Sequence, residues 1–536
     1  MLTSAAFSSI EDVRRFADAV LSDTDPAGST ALRLALEAGL DPLGDAWIAL
    51  HSLEARRAKG ETYTPPAVVN EMLDAAAREI SPQTVVDCGC GSGRFALACA
   101  RRFPKARVIA VDASSDAVLL TRANVHALGL EHRIEVLNED FIAKRLTATL
   151  IAEGPVLWIG NPPYVRHHDL GAEAKEWWRR SAAEWDLPAS GLAGLHLYFL
   201  LAAARRMRAG DFGLFVTSAE WLDVNYGTAA RRLLTTRRPL RLLRLYDPKT
   251  KVFEGVAATA LVFGFASAAS ADSGEAASVR VINAGLQEKR IPLSRFAAGS
   301  RWSRIVRGDH EPDEEPARSS SARPGASLVP LGSFVRVSRG VVTGMNAFWV
   351  RPADALCNAP ASLTTPIVSR ARELMGDDPA VHAPDQLKRL ITLPEDLSIL
   401  NAAERRFAEA VIREGLAAGV DQGYVARHRR VWWSVRTPEP APVLMTYMVR
   451  KRPTFVMNRF GLPMLNVVHG LYPKGLLSER ALEALAAYLN AHVPLEDGRM
   501  YAGGLVKFEP REAEAILVPP PEALEAAALE KMKAES

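Results

Sequence analysis

Thr84-Val-Val-Asp87-Cys-Gly89-Cys-Gly91-Ser-Gly93 is the stretch that decides the fold. A β-branched run ends in an acid, three glycines follow at alternate positions, and the helix-forming residues 94–102 come next. Glycines permit a tight turn and close approach of a ligand to the backbone, while the start of a helix offers free N–H groups. The stretch therefore predicts a strand, a nucleotide-binding loop and a helix, which open a doubly wound α/β sheet.

The first run, at 84–87, is followed along the chain by six further short runs that predict strands. They cover residues 107–112, 134–138, 155–160, 212–218, 240–246 and 259–265. Most are separated by segments long enough for a helix, which is the pattern of a parallel sheet with crossover helices. We therefore expect an α/β domain with a doubly wound, mostly parallel seven-stranded sheet and helices on both faces.

Changes in composition predict how the chain is divided. Residues 1–60 show helical periodicity with breaks at Asp25-Pro26 and Asp41-Pro42, while 266–278 and 308–327 are poor in core residues. The expected segments are a helical cap at 1–60, a catalytic domain at 61–300, a linker at 301–327, a mixed α+β domain at 328–520 and a tail helix at 521–536.

The composition of the 536 residues is that of a globular protein, with 48% hydrophobic and 24% charged residues. A net charge of +3 means that any nucleic-acid surface must be a local patch. The N-terminus lacks the apolar run of a signal peptide, and the longest uncharged apolar stretch, 256–270, is too short to span a bilayer. Four cysteines without paired Cys/His spacing predict no metal site and no disulfide framework. We expect a cytoplasmic monomer.

Acids at strand ends beside the glycine loop predict a nucleoside-containing cofactor. Asp87 ends the first strand, and Asp112, which ends the second, can bind both ribose hydroxyls. Asp140 and Phe141 follow the third strand, where an acid and an aromatic can bind and cover an adenine ring. Thr64, in Thr62-Tyr-Thr-Pro-Pro66, is placed either to cap a helix or to contact the ligand. The candidate cofactor residues are Thr64, Asp87, Gly89, Gly91, Gly93, Asp112, Asp140 and Phe141.

The fourth strand ends in Asn161-Pro162-Pro163-Tyr164, which predicts the chemistry. Prolines fix the backbone and remove donors, so the Pro162 carbonyl and the Asn161 side-chain oxygen can both point into a site as acceptors. Two acceptors would hold a conjugated amino group and stabilise the positive charge that it develops as a nucleophile. Tyr164, and Phe253 further along, offer rings that could stack on a target base. The alternatives are a structural Pro-Pro turn and a core aromatic at Phe253.

Basic and aromatic residues alternate between 427 and 459, with one acid, Glu439. Basic groups neutralise phosphates and read guanine edges, so this stretch predicts a DNA surface. A solvated charged face is the alternative. Trp177 and Trp178 either face the target base or pack a helix. The candidate DNA-binding residues are Arg427, Arg429, Arg430, Arg436, Arg450, Lys451 and Arg452, with the aromatics Trp432, Trp433, Tyr447 and Phe455 among them.

These motifs, in this order, resemble the gamma-class N6-adenine DNA methyltransferases of the Taq-like kind, over about residues 63–520. The resemblance implies the S-adenosylmethionine-dependent methyltransferase fold followed by a target-recognition domain, matched here by segments 339–348 and 498–510. It implies that Asn161 and Pro162 hold the adenine amino group of double-stranded DNA, that Tyr164 and Phe253 sandwich the base, and that the candidate cofactor residues bind S-adenosylmethionine. Cys88 and Gly89 depart from the family's usual Pro and Ala, and His196 stands where an acid is expected.

The sequence leaves other functions open. A protein-glutamine methyltransferase shares the Asn-Pro-Pro-Tyr element but has no need of a large basic domain, and an RNA adenine methyltransferase is a closer rival. An intact motif argues against a non-catalytic DNA-binding protein, and no carboxylate–lysine constellation indicates a fused nuclease. The resemblance is compatible with a separately encoded restriction endonuclease as a partner, but the sequence does not indicate whether one exists.

Overall fold

The computed structural model describes residues 2–143, 151, 153–247, 250, 252–253, 259–267, 278–308, 328–374, 384–501 and 505–535. The chain forms two compact units, Met1–Pro316 and Ala317–Ser536. The predicted linker residues 309–327, and most of the loop predicted at 266–278, lie outside the described residues. Within the described part, no helix is long and apolar enough to cross a membrane.

The first unit alternates strands and helices along the chain. Its helices are α1 Ile10–Leu21, α2 Pro26–Glu37, α3 Pro42–Leu50, α4 Leu53–Lys59, α5 Pro66–Glu79, α6 Arg94–Arg102, α7 Ser115–Ala127, α8 Ala172–Ala183, α9 Leu195–Arg206, α10 Thr228–Thr236 and α11 Trp302–Arg307. Its strands are β1 Thr84–Cys88, β2 Arg107–Asp112, β3 Ile134–Asn138, β4 Val156–Gly160, β5 Phe212–Ser218, β6 Leu240–Leu245, β7 Ala260–Ala266, β8 Ser278–Ile282 and β9 Glu288–Pro292. The bounds of all seven predicted strands are confirmed to within one residue.

The strands form one sheet in the order β3-β2-β1-β4-β5-β7-β6-β8-β9. Strands β1 to β5 pair in parallel, and β7 runs antiparallel between β5 and β6. The order reverses at β1 and β4, so the loops after their carboxyl ends meet at a topological switch point, where doubly wound sheets bind ligands. The prediction of seven strands was too low because the hairpin β8–β9 extends the edge beyond β6.

Both faces of this sheet are covered, as the apolar strands require. Val85 of β1 packs in a core with helices α1–α3 and α5–α7, and its neighbour Val86 packs on the opposite face with α8–α11. The predicted helical cap therefore shares its core with the sheet. The predicted end of the catalytic domain at residue 300 lies too early in the chain, because Trp302 of α11 is fully buried in the core on the Val86 face of the sheet.

The second unit is mixed α+β, as predicted. Its elements are β10 Val329–Pro330, β11 Val335–Arg339, α12 Asn346–Trp349, β12 Val350–Arg351, β13 Thr364–Pro366, β14 Arg389–Ile391, α13 Ala402–Ala417, α14 Tyr424–Arg427, β15 Val443–Thr446, β16 Met448–Val449, β17 Phe455–Met457, β18 Val468–Pro473, α15 Glu479–His492, β19 Arg499–Tyr501, β20 Leu505–Lys507, α16 Pro510–Glu514, β21 Leu517–Val518 and α17 Pro521–Glu535. A four-stranded sheet, β11-β18-β15-β17, packs on α15. Helix α17 is the predicted tail helix, and its Leu524 is buried in the same core.

Candidate active site

The loop after β1 has the left-handed backbone that its glycines predict. Gly89, Gly91 and Gly93 have φ angles of 88°, 59° and 88°, which disfavour any side chain. Asp112, at the end of β2, accepts a hydrogen bond from the Gly91 N–H at 2.9 Å and another from the Ser114 N–H at 2.9 Å. Burial raises the pKa of this carboxyl. The predicted acid and the loop are therefore neighbours.

Two buried oxygen atoms beside this loop have no partner. Asp87 is fully buried, and its Oδ2 accepts a hydrogen bond from the Ala96 N–H of α6 at 3.0 Å, while Oδ1 has none. Burial raises the pKa of Asp87 to about 8. The Thr64 hydroxyl is also buried without a partner, and Thr64 does not cap α5, since residue 65 does. Unpaired buried polar groups are costly, so both atoms are candidate ligand contacts.

Asp140 and Phe141 follow β3, as predicted, but only Asp140 is exposed. The Phe141 ring is buried, stacks on Phe199 at a centroid distance of 5.2 Å, and lies under the guanidinium of Arg206 at 4.9 Å. The structure therefore places this ring in the apolar core, and the prediction that its face covers an adenine is not supported by its burial. A sequence pattern cannot separate the two environments of such a ring.

The amide of Asn161 is held in one orientation by the chain. Its Nδ2 donates to the Thr62 carbonyl at 2.9 Å, which leaves Oδ1 as a buried acceptor with no partner. The preceding Gly160 lies so close to β1 that a Cβ would meet the Cys88 carbonyl oxygen at 2.8 Å. The motif is thus fixed from both sides, and the oxygen predicted to be catalytic is the free one.

The two rings predicted to sandwich a base are neighbours. The centroids of Tyr164 and Phe253 lie 6.5 Å apart at an interplanar angle of 57°, close to the ~7 Å that two stacking contacts of ~3.5 Å would span. The rings must rotate to become parallel. The Tyr164 hydroxyl is buried without a partner, and burial raises its pKa. His196, which lies 6.2 Å from the Tyr164 ring, is also buried with an unpaired Nε2, and burial lowers its pKa to about 4.

Trp178 and three cysteines of this unit belong to the core, while Trp177 is half-buried against it. Trp178 is buried and stacks on Tyr198 at 4.8 Å, so the helix-packing alternative for this residue is correct. The thiols of Cys88, Cys90 and Cys99 are also buried, and burial raises the pKa of each well above its ordinary value.

The glycine loop has a contact that the sequence did not predict. Asp41, at the start of α3, accepts hydrogen bonds from the Ser92 hydroxyl and from Nε of Arg94, both at 2.6 Å. The sequence indicated only a break in the helical periodicity at this Asp-Pro pair, which the structure shows to be the start of α3. Nothing in that pattern indicates which distant loop its second carboxylate oxygen reaches.

In the second unit, most predicted DNA-binding cations are exposed. Arg429 is the exception and a correction to the prediction. Its guanidinium is half-buried and donates to the carbonyls of Val342, Thr343 and Trp432, which holds a loop together and leaves fewer donors for phosphate. The exposed residues are Arg427, Arg430, Arg436, Arg450, Lys451 and Arg452.

The aromatic residues of this stretch do not form a stacking surface. Phe455 is buried, Trp432 and Trp433 pack against a core, and Tyr447 stacks on His469 at 4.0 Å. Exposed rings flank the stretch instead, since Tyr424 of α14 is 78% exposed and Phe460 is 53% exposed. Composition alone could not distinguish an exposed ring from the packed ones.

Three family models match the chain. They are described as "Methyltransferase domain" over residues 85–150, "Eco57I restriction-modification methylase" over 157–253, and "Type II methyltransferase M.Eco57I, C-terminal domain" over 314–535. Among solved structures, the Type IIL restriction-modification enzyme MmeI in complex with DNA matches with a TM-score of 0.61 at 13% identity, over 92% of this chain and 73% of that one. The fold and site define an S-adenosylmethionine-dependent methyltransferase.

Sequence similarity identifies the family to which the chain belongs within this class. Type II methyltransferase M.XamI of Xanthomonas campestris pv. amaranthicola is 39% identical over 494 residues, which cover 91% of this chain and 88% of that protein. The chain belongs to the Type II methyltransferases of restriction-modification systems. Human MTRF1L release factor glutamine methyltransferase is also 39% identical, but over 125 residues, 21% of this chain and 37% of that protein. The protein-glutamine alternative is therefore not favoured.

Proposed function

We propose that the protein transfers a methyl group from S-adenosylmethionine to N6 of an adenine flipped out of double-stranded DNA. The observation that carries the proposal is the free acceptor of Asn161. Its Nδ2 is bonded to the Thr62 carbonyl, so the unpaired buried Oδ1 is available to an amino group. An exocyclic amino group has two N–H bonds and therefore suits a site with two fixed acceptors.

The residues present fit the methyl donor. The orphaned Thr64 hydroxyl and Asp87 Oδ1 lie beside the loop, and Asp112 stands at the end of β2. The positive φ angles of the glycines leave backbone unobstructed by side chains. When bound, S-adenosylmethionine supplies an electrophilic methyl group on a sulfonium. In this proposal the candidate cofactor residues named from the sequence hold this donor. Phe141 is the exception and contributes through its packing in the core.

Asn161 and Pro162 supply the catalytic groups. In the proposed reaction, Asn161 Oδ1 and the Pro162 carbonyl each accept a hydrogen bond from the adenine amino group. These bonds favour a pyramidal nitrogen, whose lone pair is then less delocalised into the ring. As the nitrogen–carbon bond forms and the carbon–sulfur bond of the donor breaks, the amino nitrogen becomes positive and a neutral thioether is left behind. Both oxygens stabilise that charge until the nitrogen releases one proton to water.

Tyr164 and Phe253 supply the walls for the target base. A base inside a duplex cannot reach such a site, so it must rotate out of the stack, and an aromatic pocket offsets part of the lost stacking. The 6.5 Å separation of the two rings is near that needed for one planar base, after both rings rotate. Pro163 fixes the turn that presents Tyr164.

The second unit is the proposed DNA-reading part. It presents the exposed cations Arg427, Arg430 and Arg436 and the group Arg450, Lys451 and Arg452. Such residues fix the register on the phosphates, while a few side chains read base edges. In this proposal a monomer acts on DNA without a metal and protects sites that a separately encoded endonuclease would cut.

Two measurements test the proposal. DNA from a host that expresses the protein should carry N6-methyladenine at one recurring sequence, detected by modified-base sequencing. Asn161→Ala should lower methyl transfer by about 100-fold or more while the dissociation constant for S-adenosylmethionine changes little. The exposed Asn225→Ala, in the same unit, is the matched control and should keep wild-type activity.

Other outcomes would replace the proposal. Methylated cytosine, or label found in RNA or on a release-factor glutamine with unmodified DNA, would assign a different substrate. Substantial turnover by Asn161→Ala would show that its side-chain oxygen does not hold the nucleophile.

A further inference from the structure

Helices α2 and α3 begin with the same motif, Asp25-Pro-Ala-Gly28 and Asp41-Pro-Leu-Gly44. In both, one carboxylate oxygen of the aspartate caps the helix, accepting from the Gly28 N–H at 2.8 Å or from the Gly44 N–H at 3.0 Å. A Cβ at either glycine would lie about 2 Å from the second carboxylate oxygen, at 2.1 and 2.0 Å. The two motifs are thus the same structural device used twice.

They differ in what the second carboxylate oxygen contacts. Asp41 Oδ2 accepts from the Ser92 hydroxyl and from Arg94 Nε, both at 2.6 Å, and these residues lie in and just after the glycine loop. The contact is secluded, because Asp41 is 8% exposed and Ser92 2%. Among the described residues, Asp25 accepts the capping bond and makes no ion pair. A helix cap explains Asp25 fully but accounts for only half of what Asp41 does.

Arg94 also connects Asp41 to the segment that carries Thr64. Its Nη1 donates to the Thr64 carbonyl at 3.0 Å, and its Nη2 pairs with Asp45 at 2.5 Å. Ser92 is held by helix α7 as well, since its carbonyl accepts from Asn124 Nδ2 at 2.9 Å. Charge-assisted hydrogen bonds of this kind are strong when they are sheltered from water.

We infer that Asp41 is a positioning residue for the methyl donor: from outside the sheet it fixes the glycine loop and, through Arg94, the Thr64 segment. The N-terminal helices are in this respect part of the cofactor site. The inference rests on the proposed function only in taking S-adenosylmethionine as the ligand of the loop. Without the carboxylate charge, Ser92 and Arg94 lose their shared anionic acceptor, and the loop must be ordered when the ligand binds.

The two motifs provide a matched pair of variants, Asp41→Asn and Asp25→Asn. Asparagine caps helices as well as aspartate does, so each variant keeps its cap and loses the charge and the second acceptor oxygen. By calorimetry, the dissociation constants for S-adenosylmethionine and S-adenosylhomocysteine should rise about tenfold in Asp41→Asn, equivalent to about 1.4 kcal/mol. They should stay within about twofold of wild type in Asp25→Asn, whose removed charge faces no loop.

Steady-state kinetics separate positioning from general damage. The KM for S-adenosylmethionine should rise in Asp41→Asn, while kcat at saturating donor and the KM for DNA stay close to wild type. In the protein without ligand, hydrogen exchange of the amides of residues 89–96 should be faster in Asp41→Asn than in Asp25→Asn. Ser92→Ala removes one of the two hydrogen bonds to Asp41 and should give a smaller change in the same direction, even if Asp41→Asn folds poorly.

The outcomes are distinguishable. If wild type binds neither S-adenosylmethionine nor its product, the cofactor of the proposed function is wrong, whereas hydrogen exchange still reports on Asp41. If wild type binds and the two Asp→Asn variants bind and exchange alike, or Ser92→Ala leaves both readouts unchanged, the positioning role of Asp41 is overturned.

Discussion

At the residue scale, the sequence predicted that the Asn-Pro-Pro-Tyr motif follows a strand at the candidate site, but not which atoms orient it. The position of Asn-Pro-Pro-Tyr directly after a strand indicated which side chains face the site. The anchor of Asn161 is the Thr62 carbonyl, 99 positions earlier, and no spacing rule links the two. For Phe141 the sequence pattern could not give the environment of the ring. An aromatic residue after a strand can face either a ligand or the core, and here it faces the core.

His196 gives a prediction about pH. Burial lowers its pKa to about 4, and its position in the first turn of α9 also disfavours a positive charge. The unfolded chain takes up this proton near pH 6.5, whereas the folded protein does so only near pH 4. The stabilisation is therefore fully present above pH 6.5 and is lost as the pH falls toward 4, and about 2 kcal/mol of it has been lost by pH 5.

His196→Gln removes this titration. Urea unfolding of wild type and variant at pH 7.5 and pH 5 should show that the variant loses about 2 kcal/mol less over this range. Because the comparison is a difference between two proteins, the other titrating groups cancel. Equal losses in both proteins would mean that His196 is protonated as easily in the folded protein as in the unfolded chain.

At the scale of elements, the sequence predicted the seven main strands because each is a short, mostly apolar run bounded by turn or helix-length segments. It did not predict β8 and β9, the last two strands at one end of the sheet, because polar residues interrupt their apolar pattern: Arg280 in β8 and Glu288, Lys289 and Arg290 in β9. The predicted linker, residues 301–327, also begins too early in the chain. Trp302 and its helix follow a polar stretch, and only the tertiary structure shows that this ring is covered.

Helix α11 should contribute to the stability of the first unit. Trp302 packs edge-on against Trp221 at 5.9 Å and Phe296 at 5.2 Å, and its Nε1 donates to the Ala297 carbonyl at 2.9 Å. Trp302→Ala should lower the free energy of unfolding by about 3–5 kcal/mol. Trp177→Ala, at a half-buried position on α8, is the control and should cost clearly less in the same denaturant titration. Similar losses would indicate that α11 is only loosely attached.

At the scale of the whole molecule, chemistry and recognition are proposed to reside in separate units. Replacing Arg450, Lys451 and Arg452 together by Gln should weaken DNA binding and flatten its salt dependence. The log–log slope should fall by about 0.9 for each phosphate that the variant no longer neutralises. S-adenosylmethionine affinity should stay at the wild-type value, because these residues lie in the second unit and the cofactor residues in the first.

The control has the same change in charge on the other unit. Arg33, Arg102 and Lys105 are exposed on the first unit, and their triple Gln variant removes three charges far in sequence from the predicted DNA-binding stretch. Affinity measured over a salt series should keep the wild-type slope in this control. Equal slopes in all three proteins would exclude residues 450–452 from the DNA interface.

The burial of three of the four cysteines has a practical consequence. Cys88, Cys90 and Cys99 are inaccessible, and their thiols stay protonated, whereas Cys357 is exposed in the second unit. Because the thiolate is the reactive form, a maleimide fluorophore should attach to the native chain at a single position. The unit proposed to read DNA can thus carry an optical reporter without any substitution, and the donor site keeps its natural sequence.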